Sequence, residues 1–89
     1  MSLVQDQAEL PVIRLHPLDN VVVASGRLPK GAAAAREGVV ALDPIPAGHK
    51  LATAFIAAGQ PILKYGQVIG AATQDIPAGA HVHSHNLAV

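Results

Sequence analysis

A four-residue motif ending in glycine recurs four times along this chain of 89 residues. An apolar residue stands three positions before the glycine in LPKG at 28–31, IPAG at 45–48, IAAG at 56–59 and IPAG at 76–79. Glycine adopts positive φ without steric cost, and three of the motifs carry proline where turns of type I or II favour it. Turns spaced this closely leave room only for short strands, so we predict a small all-β fold.

The segments between the turns have the composition of strands. Runs rich in β-branched residues and bounded by Gly, Pro or Asn favour a strand over a helix. Such runs are VIRLH at 12–16, VVVAS at 21–25, GVVAL at 38–42, KLATAFI at 50–56, PILKY at 61–65, QVIGAAT at 67–73 and HVHSH at 81–85. The alanines at 32–35 have helix propensity but are too few to be helical without packing support, so we predict a loop or a single helical turn there.

Residues 1–11 are mostly polar and show no periodicity, so we predict a flexible tail at 1–11 followed by one domain at 12–89. Because aromatic residues are only 2% of the chain, the core has to be built from Val, Ile, Leu and Ala. Such a light core favours association with another chain, and open strand edges favour a homo-oligomer.

Charge and composition exclude several classes of function. Six basic residues balance six acidic ones and are scattered, so nothing indicates nucleic-acid binding. The absence of cysteine excludes disulfides and iron–sulfur clusters in this chain. No signal-like leader and no run of about 18 apolar residues is present, so we expect a cytoplasmic protein without a membrane partner. Motifs of hydrolases, kinases and glycosidases are also absent.

Three alternating histidines, His81, His83 and His85, are the clearest candidates for chemistry. Side chains at i, i+2 and i+4 of a strand share one face, with neighbours roughly 6–7 Å apart. An H-x-H pair on a strand can bind Zn²⁺ or Fe²⁺ and leave positions open for water or a hydroxy acid. The alternative is a row of histidines that faces solvent and has no chemical role.

Two further pairs, His49-Lys50 and Lys64-Tyr65, stand beside turns, where polar side chains are often displayed for binding. Lysine offers a positive charge for a carboxylate and tyrosine a hydroxyl group; the alternative is ordinary surface lysines with Tyr65 covering the core. Asp19-Asn20 predicts a local Asx-type turn, with metal or sugar binding as the less favoured alternative.

Four segments of the chain resemble a known family: HPLDNVVVA at 16–24, GHKLA at 48–52, KYGQVIGAAT at 64–73 and DIPAGAHVHSHNL at 75–87. They are similar to the N-terminal domain of the altronate and galactarate dehydratases, a SAF-type domain with a β-clip fold. The resemblance implies a hydro-lyase that acts on sugar acids with a divalent metal, Fe²⁺ above all. It further implies a large catalytic subunit, as for the separately encoded alpha subunit of sulfolactate sulfo-lyase, so that this chain alone is inactive.

The resemblance also implies roles for particular residues. His83 and His85 are expected to be metal ligands or proton carriers and, with Asn86, to form the catalytic group. The substrate, a small hydroxy acid, is expected to contact His49, Lys50, Lys64, Tyr65 and Asn20. Two other hypotheses stay open: a stand-alone SAF module that binds carbohydrate acids, and a histidine-based metal carrier or sensor.

Overall fold

The computed structural model describes residues 11–89, and within this range every regular element is a strand. The strands are β1 (Val12–Ile13), β2 (Val21–Ala24), β3 (Ala33–Ala34), β4 (Val39–Val40), β5 (Lys50–Ala52), β6 (Pro61–Lys64), β7 (Gln67–Ala72), β8 (His81–Val82) and β9 (Leu87–Ala88). All pairings are antiparallel, in a sheet of order β1-β2-β5-β8, a hairpin β3-β4 and a sheet of order β6-β7-β9. The predicted small all-β fold is confirmed.

The predicted tail at 1–11 falls almost wholly on residues 1–10, which lie outside the described residues. Its last residue, Pro11, accepts a hydrogen bond from the amide of Ser25 and so continues the pairing of β1 with β2. From residue 11 to residue 89, no helix is long and apolar enough to cross a membrane.

The four glycine motifs form four turns of one kind. In each, the residue after the glycine donates its amide to the carbonyl three positions back, as Ala32 does to Pro29 and Ala80 to Pro77. The four glycines have φ between 82° and 93°, which identifies type II turns with glycine at the third position. Proline therefore occupies the first position in three of these turns, whereas turns of type I or II favour it at the second.

The apolar residues that open the motifs pair with each other across the fold. Leu28 and Ile45 exchange two backbone hydrogen bonds, and Ile56 and Ile76 do the same. All four side chains are buried, so each turn is fixed by an apolar anchor and by a backbone bridge. The turns thus associate as 28–31 with 45–48 and 56–59 with 76–79, although the most similar sequences are those at 45–48 and 76–79.

Among residues 11–89, two small apolar clusters form the core, and β2 and β5 contribute to both. Val22 pairs with Leu51 and belongs to one cluster, while the adjacent pair Val21 and Ala52 belongs to the other. This division follows from the strand period of two, which sends successive side chains to opposite faces of a sheet. The core is built from Val, Ile, Leu and Ala, as the composition required.

The predicted loop or helical turn at 32–35 is wrong, because Ala33 and Ala34 form β3 and pair with Val40 and Val39. Ala34 is buried in the first apolar cluster. Packing outweighs the weak helix propensity of a segment this short.

The Asp19-Asn20 pair does not form the local Asx turn that the sequence indicated. A turn exists, with the Asp19 amide bonded to the His16 carbonyl, but both side chains reach the distant β6-β7 hairpin. The buried carboxylate of Asp19 accepts from the amides of Tyr65 (2.9 Å) and Gly66 (2.7 Å). Tyr65 and Gly66 both have positive φ, which is uncommon for tyrosine, and the carboxylate stabilises that conformation at the tip of the hairpin.

Candidate functional site

Four imidazole rings come together where β5 and β8 begin. The ring centroids of His49 and His83 are 4.1 Å apart, those of His49 and His81 5.1 Å, and those of His81 and His83 5.7 Å, with all three pairs stacked. The tilted ring of His85 lies 5.2 Å from that of His81. We call these four residues the histidine cluster.

The register of β5 and β8 explains why His49 joins the cluster. Lys50 pairs with Val82 and Leu51 with His81, so His49 stands opposite His83 when the same register is continued by one residue. Residues directly opposite each other share a face, as do His81 and His83 at i and i+2. The sequence placed His49 in a separate candidate group because only the pairing of strands brings it to the C-terminal histidines.

The predicted row of His81, His83 and His85 on one strand is wrong in its local structure. β8 consists of His81–Val82, and the chain turns at 83–86. The amides of Asn86 and Leu87 both bond to the carbonyl of His83 and close this turn. The turn at 83–86 therefore brings the ring of His85 close to that of His81; the two residues do not lie on one face of a common strand.

Asn86 holds the turn from inside the protein. Its side chain is buried, with Oδ1 accepting from the His83 amide (3.0 Å) and Nδ2 donating to the His81 carbonyl (2.9 Å). With both ends of the carboxamide bonded to backbone, this side chain positions His81 and His83. The structure shows this positioning role for Asn86, and the catalytic contact predicted for it stays a prediction.

The imidazoles of His49 and His81 share a proton. His49 Nδ1 lies 2.9 Å from His81 Nε2, and one of these atoms must donate while the other accepts. At least one ring of the pair is therefore neutral in this arrangement. The Asp43 carboxylate accepts from the backbone amide of His81 at 3.0 Å and brings one negative charge to the cluster.

Burial and mutual repulsion favour neutral imidazoles. Desolvation lowers the pKa of His81, and the positive charges of His85, His49 and His83 lower it further, with Asp43 opposing them. The pKa of His83 is lowered by desolvation and by the charges of its neighbours His49, Lys50 and His85. Neutral imidazole is the form that binds metals and accepts protons.

We expect the free energy of unfolding of the metal-free chain to decrease as the pH falls below about 6.5, the ordinary pKa of histidine. The unfolded chain binds more protons than the folded chain between this value and the lowered pKa values of His81 and His83. This contribution to the free energy of unfolding is therefore fully present above pH 6.5. It is lost as the pH falls through the lowered pKa values that His81 and His83 have in the folded chain. Urea unfolding at pH 7.5, 6.5 and 5.5 measures this slope.

A variant tests the electrostatic origin of this pH dependence. His85→Gln removes one of the positive charges that lower the pKa of His81, so we expect a flatter pH profile than in the wild-type chain. An unchanged slope in this variant would contradict the assignment.

The predicted lysines form a second group beside the histidine cluster. Lys50 opposes Val82, so strand alternation puts its side chain on the other face of the sheet from Leu51. Burial lowers the pKa of Lys50, and the charge of Lys64 lowers it further. The charge of Lys50 also lowers the pKa of His83, although Lys50 lies on the other face of the sheet from His49 and His81.

Tyr65 and Asn20, the remaining predicted substrate contacts, differ in accessibility. Tyr65 is 63% exposed at the tip of the β6-β7 hairpin, so it does not cover the core, and the Nζ of Lys64 lies 6.0 Å from the centre of its ring. The Asn20 carboxamide donates to the Pro61 carbonyl and accepts from the Leu63 amide, so it holds the hairpin in place.

Three of the histidines could hold a metal ion. His49, His81 and His83 each present a ring nitrogen within 4.8 Å of the other two. Imidazole nitrogens suit borderline cations such as Zn²⁺ and Fe²⁺, and two ligands about 2.1 Å from one ion lie roughly 3–3.5 Å apart, so modest ring movements would bring all three to one ion. The residues fit a divalent metal, and this set includes His83 but not His85 of the predicted pair.

Comparison with known proteins places these residues in a family. A family model described as the altronate/galactarate dehydratase SAF domain matches residues 10–89. Altronate dehydratase of Escherichia coli (strain K12) is 43% identical over 76 residues, which are 83% of this chain and 15% of that protein. Galactarate dehydratase (L-threo-forming) of the same strain is 33% identical over 86 residues, or 92% of this chain and 16% of that protein.

A shorter protein is also similar. The (2R)-sulfolactate sulfo-lyase subunit alpha of Chromohalobacter salexigens is 47% identical over 45 residues, which are 51% of this chain and 48% of that subunit. The aligned region thus spans about one sixth of the two dehydratases and about half of this subunit. Because the family model covers residues 10–89, and with them the whole histidine cluster, this chain belongs to the altronate/galactarate dehydratase SAF domain family.

Proposed function

We propose that this domain is the small subunit of a sugar-acid dehydratase or a related lyase and completes an active site on a separate large subunit. The observation that supports the proposal most directly is the histidine cluster, which brings four imidazoles together. The charge of Lys50 acts on His83 of this cluster. The relatives named as dehydratases and as a sulfo-lyase subunit support a reaction of the lyase class.

The groups present match what dehydration of a 2,3-dihydroxy acid needs. The proton on C2 has to be removed and the hydroxyl on C3 has to leave with a proton, which requires a base and an acid in reach of adjacent carbons. His85 is exposed and lies outside the metal-ligand set, so its imidazole can accept or relay a proton while a metal is bound. The ammonium groups of Lys50 and Lys64 can bind the carboxylate and stabilise negative charge that develops on it.

His49, His81 and His83 would hold the divalent metal of such an enzyme. When bound, the metal supplies Lewis-acid polarisation of substrate oxygens. Asn86 fixes the backbone of two of these ligands, so the donor set is held by the fold of this chain.

The decisive experiment is an activity assay on the chain alone, the large subunit alone and the co-expressed pair, with altronate, galactarate and sulfolactate as substrates. We expect activity in the pair and none in this chain alone. His83→Ala in the pair should reduce kcat by about 100-fold or more, since it removes one of the three proposed metal ligands. Lys30→Ala, at an exposed turn outside the cluster, is the control and should change kcat less than about twofold. A large subunit that is fully active without this chain would overturn the proposal.

A metal-binding module without catalysis is the second candidate, because the three nitrogen ligands come from a single chain. Calorimetric titration of the chain alone with Zn²⁺ should give one site per chain, and His49→Ala should weaken it at least 10-fold. His85→Ala should leave the affinity within about twofold of wild type. Equal losses in both variants would contradict the proposed ligand set. Zinc affinity without activity in the co-expressed pair would favour this second candidate over the first.

A further inference from the structure

The sheet β1-β2-β5-β8 has two edge strands, and the edge at β8 is closed by side chains. The Ala52 amide bonds to the Ala80 carbonyl, so Ala80 directs its backbone carbonyl toward β5. In an antiparallel strand alternate residues face opposite sides, so the backbone groups of His81 and His83 point outward, away from β5. The outward amides bond to Asp43 and Asn86, and Asn86 also occupies the His81 carbonyl. No further strand can add at this edge without breaking these bonds.

The edge at β1 is open among residues 11–89. The Ser25 amide bonds to the Pro11 carbonyl and Ile13 pairs with Val23, so these residues direct their backbone groups toward β2. By the same alternation Val12 and Arg14 direct their amides and carbonyls away from the sheet. No hydrogen bond to these outward groups exists within the described part of the chain.

A groove lies alongside this open edge. It has a volume of about 270 Å³ and is lined by consecutive residues of the edge, Val12, Ile13 and Arg14, and by residues 35–37 of the β3-β4 turn. Its chemistry is apolar and basic, because Ile13 is half-exposed and the exposed Arg36 has no ion-pair partner within residues 11–89. The guanidinium of Arg14 is neutralised by Glu37 at 2.8 Å, which leaves Arg36 as the unbalanced charge.

We propose that an extended segment of the large subunit adds to the outer edge of β1 as a further antiparallel strand, with an acidic side chain against Arg36. This inference rests on the proposed function. Strand addition satisfies the outward amides and carbonyls of Val12 and Arg14, the ordinary mode by which an open sheet edge recognises an extended peptide. An acidic partner complements Arg36, whereas a second copy of this chain would bring another basic edge. About five sixths of each dehydratase relative lies outside the region matched here. A large subunit of comparable length could supply such a segment.

Hydrogen–deuterium exchange on the chain alone and in the co-expressed pair tests the proposal. We expect at least 10-fold slower exchange for the amides of Val12 and Arg14 in the complex. The exposed residues 54 and 55 serve as the internal control and should not change. Arg36→Glu should weaken the complex about 10-fold, while Arg27→Glu, at another exposed arginine, should weaken it less than about twofold.

The outcomes separate this proposal from the proposed function. An active complex in which Val12 and Arg14 exchange as fast as in the free chain overturns the docking edge and leaves the function intact. Failure of the two chains to form a complex overturns both. Dimerisation of the isolated chain that protects the same amides overturns the large-subunit segment in favour of a second copy.

Discussion

Replacement of Gly79 by alanine is expected to destabilise the domain by at least about 4 kcal/mol, enough to unfold many small proteins. A Cβ at this position would fall on the carbonyl oxygen of Val40 and press on Leu42, and φ is 93°, where an L-residue is strained. The Leu42 amide also bonds to the Gly79 carbonyl, so the backbone on both sides is fixed. At Gly79 the 76–79 turn meets the end of β4 and the residues that follow it.

Gly59→Ala is the matched control for this effect. Gly59 holds the equivalent position of the 56–59 turn with φ of 87°, but a Cβ there would meet nothing within 4 Å. We therefore expect a loss of about 1–2 kcal/mol from the positive φ alone. Urea unfolding of both variants measures the difference. Equal losses would show that Gly79 is required for its φ and not for the close approach of Val40.

Replacement of Asn86 by alanine is expected to cost about 2–4 kcal/mol and to disorder the histidine cluster. The change leaves the His83 amide and the His81 carbonyl without their partners beside a small cavity, and each unsatisfied buried group costs about 1–3 kcal/mol. Asn86→Asp keeps an acceptor for the His83 amide but places an oxygen against the His81 carbonyl, so we expect it to recover only part of the loss. Urea unfolding gives the stabilities.

A positioning role for Asn86 predicts more than a loss of stability. In the folded variant the ring resonances of His81 and His83 should shift in NMR spectra, and Zn²⁺ affinity should fall at least 10-fold, while the resonances of His16 stay unchanged. Asn20→Ala is the control, because it also removes two side-chain bonds to backbone but at the β6-β7 hairpin. If Asn20→Ala weakens Zn²⁺ binding as much as Asn86→Ala does, Asn86 acts through stability alone.

Most of what the sequence predicted about the fold came from the four glycine turn motifs. Glycine at 31, 48, 59 and 79 permits a positive φ that other residues adopt only with strain, and the preceding apolar residues are all buried. These are local properties, so the four turns and the all-β class were predicted correctly. The 32–35 segment was not, because its conformation depends on pairing with Val39 and Val40.

The candidate site was predicted only in part, because some of its contacts are local and others depend on strand pairing. His81, His83 and His85 are neighbours in sequence, and their proximity follows from any extended or turning conformation of the chain. His49 is 32 residues before His81, and only the register of β5 with β8 brings its Nδ1 to 2.9 Å from His81 Nε2. Lys50 could be identified as a cation, but not its position on the other face of the sheet from Leu51 and His81.

By itself, the sequence determined what depends on neighbouring residues: tight glycine turns, short strands, an aliphatic core, and the family to which the chain belongs. The tertiary structure decided what depends on pairing between distant segments. It assigned Asn86 to the backbone of two histidines, Asp19 to the β6-β7 hairpin, and open hydrogen-bonding groups to the edge of β1. The physical reason is that hydrogen bonds and ring contacts act over a few ångströms, and strand register, which the local sequence does not encode, determines which groups come that close.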